Sequence, residues 1–148
     1  MMKSSWAMKD YIFSTLGASA ISIVSSLIIS NIFPPPEVTG EVQGFFELPF
    51  GTAQYITLFI LLIVLPFIEE LVFRKALWGF LERYLAKRQV LFVVSTIFCL
   101  CHIEAPLVVG LLPISLFLGW LRLRTDSIRC SVVAHMSYNA TGIFLTLV

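Results

Sequence analysis

The chain has 148 residues, 58% of them hydrophobic and only 13% charged, with a mean hydropathy of +0.93 and a formal net charge of +1. A water-soluble domain of this size is about a quarter charged, so the composition excludes one and describes an integral membrane protein. No basic patch marks a nucleic-acid surface, and three cysteines, an odd number, imply no disulfide framework.

Five apolar runs of helical length predict an all-α fold: a multi-pass transmembrane helical bundle of about five helices in a single membrane domain, 1–148. The first span covers 11–33, behind a short segment holding Lys3 and Lys9, and reads as an uncleaved anchor. Ser14, Ala18, Ser22 and Ser26 recur along it at four-residue spacing, a small-residue stripe that lets helix backbones approach closely in lipid. Pro34, Pro35 and Pro36 end it. The loop that follows carries Phe45, Phe46 and Phe50, aromatics suited to the headgroup level.

The second span covers 53–73 and runs on as an amphipathic helix to about 85. It carries Pro66, which removes a backbone hydrogen bond and favours a kink, and then Glu69, Glu70 and Arg74. A charge at the centre of a membrane helix costs about 2.5–3.5 kcal/mol on insertion scales, so a purely structural span would avoid two acids. At about 100° per residue, Glu70 and Arg74 lie within about 40° of each other and can pair. Glu69 points about 100° away, free of the arginine and able to face a cavity.

The third span, 90–103, ends in Cys99, Cys101 and His102. If the chain turns back near Ala86, Glu69 and His102 lie at equal distances on either side of the turn and face each other across a hairpin. The fourth, 107–121, holds Pro113, Ser115 and Gly119 and offers packing rather than chemistry. The fifth, 128–148, places His135 and Asn139 four residues apart on one face, a polar pair that needs a polar interior to point at. No HExxH or GxSxG-like motif is present, nor any Gly-rich phosphate loop. All ten Lys and Arg fall in the N-terminal segment, in 74–88 or in 122–129. By the positive-inside rule the N-terminus is cytoplasmic and the C-terminus external, with the protein in the cell membrane.

Taken together, Glu69-Glu70-x-x-x-Arg74, Phe98-x-x-x-His102 and His135-x-x-x-Asn139, in this order over 61–139, resemble the CPBP family of CAAX-protease and bacteriocin-processing membrane proteins, also called Abi proteins. The resemblance implies an intramembrane endopeptidase. Its substrate would be a peptide bond near the C-terminus of a membrane-associated or prenylated protein, or a bacteriocin or signalling peptide. Carried over by position, Glu69 activates water, His102 helps to hold it, His135 and Asn139 stabilise the oxyanion, and Glu70 with Arg74 brace the site. A glutamic mechanism needs no cofactor; the rival within the enzyme class is zinc held by the two histidines and a carboxylate. The alternative outside it is a non-catalytic peptide-binding protein, an immunity or scaffold factor. The family's arginine is usually followed by glycine, where this chain has Lys75. Oligomeric state is not legible in these residues.

Overall fold

A computed structural model describes residues 8–33, 51–102 and 105–147. Within them the chain forms five helices: α1, Met8–Ile32; α2, Thr52–Leu81; α3, Lys87–Leu100; α4, Ala105–Thr125; and α5, Arg129–Leu147. The all-α bundle expected from composition is the observed architecture. The headgroup aromatics Phe45, Phe46 and Phe50, the proline run and the N-terminal lysine Lys3 lie outside the described residues.

The packing is inside-out relative to a soluble domain. Its buried set includes Ser14, Ser22, Ser95, Ser115, Ser131, Glu70, Arg74 and His135, while Leu16, Leu27, Tyr55, Phe59, Phe67 and Phe92 face outward. A water-soluble chain hides its large apolar side chains, whereas a lipid-facing bundle turns them out and packs on small and polar residues. Two of the helices, Met8–Ile32 and Thr52–Leu81, are both long enough and apolar enough to cross a membrane. The stripe on α1 packs at three of its four expected positions, with Ser25 buried in place of Ser26. Ser14, Ala18, Ser22 and Ser25 are buried, α1 packs most extensively on α5, and Ser22 Oγ donates to the Tyr138 carbonyl at 3.1 Å.

α4 is the central element, in contact with α1, α3 and α5. Its approach to α3 depends on Gly119: a Cβ there would lie 3.2 Å from both Leu91 Cγ and Ser95 Oγ. Gly119→Leu is therefore expected to overpack this seam and cost about 1–3 kcal/mol. The check is a fall in Tm of detergent-purified protein, and an unchanged Tm would mean that the close approach is dispensable.

α2 does not stop or break at Pro66. It alternates α-helical segments with two wider π-helical ones, Ile60–Val64 and Leu71–Leu77, on either side of Leu65–Glu70. Such i→i+5 stretches are rare and cluster at functional sites. The helix ends at Leu81, a turn earlier than the sequence pattern suggests, where the ladder tightens to three-residue bonds from the Arg83 N–H to the Phe80 carbonyl at 3.3 Å and from the Tyr84 N–H to the Leu81 carbonyl at 2.9 Å. The chain reverses over 82–86, where the Gln89 side chain accepts from the Ala86 N–H and starts α3. α3 has only 14 residues, about 21 Å, against 30 residues, about 45 Å, for α2. His102, in the turn just beyond α3, therefore reaches no further than the middle of α2.

Between α4 and α5, Asp126 adopts a left-handed backbone conformation (φ 52°), which Asp tolerates better than most residues. Arg122 Nη1 donates to its carboxylate at 2.8 Å and holds that carboxyl below the usual range.

Candidate active site

The acids of α2 divide as their helical offset predicts. Glu70 and Arg74, one turn apart, are both fully buried and joined by a 2.9 Å hydrogen bond from Arg74 Nη1 to Glu70 Oε1. The other arm of the guanidinium, Nη2, donates to Ser115 Oγ at 2.9 Å and to the Ser115 carbonyl at 3.3 Å, and its plane lies 4.4 Å from the Phe98 ring centroid. Ser95 Oγ donates to that same carbonyl at 3.0 Å. Arg74 thus ties α2 to α3 and α4 in one buried knot. Arg122 closes it from outside, its Nε donating to the Arg74 carbonyl at 3.1 Å. Ser95 and Ser115 are the functional support that sequence reasoning missed. A serine in an apolar span reads as a small packing residue, and no local pattern says that it accepts from an arginine 41 residues away.

His135 sits between the two acids. Its Nδ1 donates to Glu70 Oε1 at 3.1 Å, and its Nε2 lies 3.5 Å from Glu69 Oε2. A carboxylate only accepts, so the Nδ1 proton is fixed by Glu70 and Nε2 is the nitrogen left to face the cavity. Phe98 packs edge-on against the ring at 5.7 Å and keeps it in this orientation. Glu70 and Arg74 consequently stand behind His135 rather than at the surface. One oxygen of the acid, Oε2, and Arg74 Nε are buried with no hydrogen-bond partner among the described residues.

Glu69, His102, His135 and Asn139 all line one cavity of about 420 Å³. The hairpin brings His102, at the end of the short α3, to the cavity that Glu69 lines. The His102 Nδ1 donates to the Phe98 carbonyl at 2.9 Å, so its Nε2 keeps a lone pair for the cavity. Asn139 Nδ2 donates to the Leu61 carbonyl at 3.2 Å, one turn along α5 from His135. The remaining wall is contributed by Ser22 and Ser26 of α1, Leu61 and Leu65 of α2, Leu111 of α4, and Tyr138, Gly142 and Ile143 of α5. Ser26 thus belongs to the cavity rather than to the packed stripe. Lys75 points outward, so the residue that replaces glycine after Arg74 does not crowd the site.

Among the described residues no three His, Cys, Asp or Glu side chains are grouped as metal ligands would be. Compared with known proteins, the chain matches the family model described as type II CAAX prenyl endopeptidase Rce1-like over residues 51–141. No curated protein and no solved structure matches.

Proposed function

We infer that this chain, which belongs to the Rce1-like family of type II CAAX prenyl endopeptidases, hydrolyses a peptide bond inside the membrane by a glutamic mechanism. The observation that carries the reading is the grouping of Glu69, His102, His135 and Asn139 on one cavity in a bundle whose outer surface is apolar. Glu69 takes a proton from water as the oxygen attacks the scissile carbonyl, then returns it to the leaving amine. His102 accepts a hydrogen bond from that water through Nε2. His135 turns its Nε2 toward the oxyanion as a donor, and the second amide hydrogen of Asn139 assists. Preorganised donors of this kind are worth about two to three orders of magnitude each in rate. Glu70 orients the His135 ring through Nδ1 and Arg74 holds Glu70.

The substrate class is a peptide near the C-terminus of a membrane-associated or prenylated protein, or a bacteriocin or signalling peptide. The chain crosses the cell membrane several times, with its N-terminus cytoplasmic and its C-terminus external. The distribution of the ten basic residues supports that topology. No metal takes part in this scheme, because Glu69 and His102 activate water without one.

The test is mass spectrometry of C-terminal peptides, prenylated and unprenylated, incubated with the protein in liposomes before and after exhaustive chelation. A new fragment that is insensitive to chelation is expected. Activity lost together with stoichiometric metal would replace the glutamic mechanism by a zinc one. Binding with no fragment across the panel would leave a peptide-binding protein.

A further inference from the structure

Pro66 breaks the backbone ladder of α2 at a definable place. In the π-helical segment the Leu65 N–H is spent on the Ile60 carbonyl, five residues back. An ordinary helical rung would have sent it to Leu61, and the next wide rung would run from residue 66 to Leu61. Residue 66 is proline and has no N–H. Neither rung reaches the Leu61 carbonyl, and in lipid an unmet carbonyl costs several kcal/mol. The Asn139 amide donates to it at 3.2 Å.

One turn before Asn139 on α5, His135 contacts Glu69 and Glu70, which follow Pro66. α5 therefore grips α2 on both sides of the proline, by its histidine beyond the break and by its asparagine before it. We propose that Asn139 is a positioning residue for Glu69: its amide replaces the backbone donor that Pro66 lacks, and so fixes where the catalytic carboxylate stands relative to α5. The effect on cleavage rests on the reading of Glu69 as the base; the pairing of Asn139 with the break does not.

Because a main-chain N–H at residue 66 would make the amide redundant, the two sites must be coupled. The experiment is a double-mutant cycle of Asn139→Leu and Pro66→Ala, with Tm in detergent and kcat of peptide cleavage measured for all four proteins. The packing cost of removing the buried proline ring appears on both sides of the cycle and cancels. Asn139→Leu is expected to lower Tm by several degrees and kcat by about a hundredfold or more in the parent background, the loss of its oxyanion bond being the same in both backgrounds. With Ala at 66 the Tm drop should at least halve and the kcat loss shrink threefold or more, a rescue that a loss of packing alone would not show. Equal Tm losses in both backgrounds would overturn the pairing. A coupled Tm with an uncoupled kcat would overturn the positioning role. If the parent protein cleaves nothing, the protease reading fails, and the Tm cycle still decides whether Asn139 serves the break.

Discussion

Glu69→Gln is expected to lower kcat by about three orders of magnitude, within the range that general-base catalysis supplies, and to leave the fold intact. The substitution keeps the size and shape of the side chain and removes only its capacity to take a proton. Glu69 is 29% exposed and its closest charged neighbour, His135 Nε2, is 3.5 Å away, so little stability depends on it. The Tm should stay within a few degrees of the parent value while the cleavage product disappears from the mass spectrum. His102→Ala should reduce the rate by a smaller factor, since it loses a hydrogen bond to water rather than the base itself. A Glu69→Gln protein that cleaves at the parent rate would remove the carboxylate from the chemistry altogether.

Arg74→Met should be the most destabilising single change in the bundle. The guanidinium is fully buried and meets Glu70, both Ser115 acceptors and the Phe98 ring. Removing one partner of a buried ion pair costs about 3–5 kcal/mol, because the charge left behind has neither water nor counter-ion. Here that charge is a carboxylate whose second oxygen already has no partner among the described residues. The protein should purify poorly and unfold well below the parent Tm. Replacing the acid as well, in Glu70→Gln with Arg74→Met, should recover part of the loss. It should not restore cleavage, because the Nδ1 proton of His135 would no longer be set by a carboxylate. A single Arg74→Met variant with the parent Tm would show that the arginine is not the knot described above.

Much of this arrangement is readable in the sequence because it rests on periodicity. The four-residue spacing of Glu70 and Arg74 puts them in contact, the same spacing puts His135 and Asn139 on one face, and the hairpin brings His102 to the cavity that Glu69 lines. What escapes sequence reading joins residues far apart. The bond from His135 to Glu70 spans 65 positions and the one from Asn139 to Leu61 spans 78. Ser115 looked like a packing residue because a serine in a membrane helix usually is one. The wide turns of α2 left no trace either. The early end of α2 came with the tightened bonds of Arg83 and Tyr84, which the amphipathic pattern running on to 85 does not reveal.

The shortness of α3 has a bearing on the supply of reactant. Each bond cut consumes one water molecule, and hydrocarbon holds almost none. A 14-residue helix standing beside a 30-residue one creates a hydrophobic mismatch within a single protein. A bilayer against α3 would have to thin or admit solvent at the end where His102 lies, while around α2 it could keep its full thickness. The same bundle would then meet a shallow surrounding on the side of the histidine and a deep one along α2.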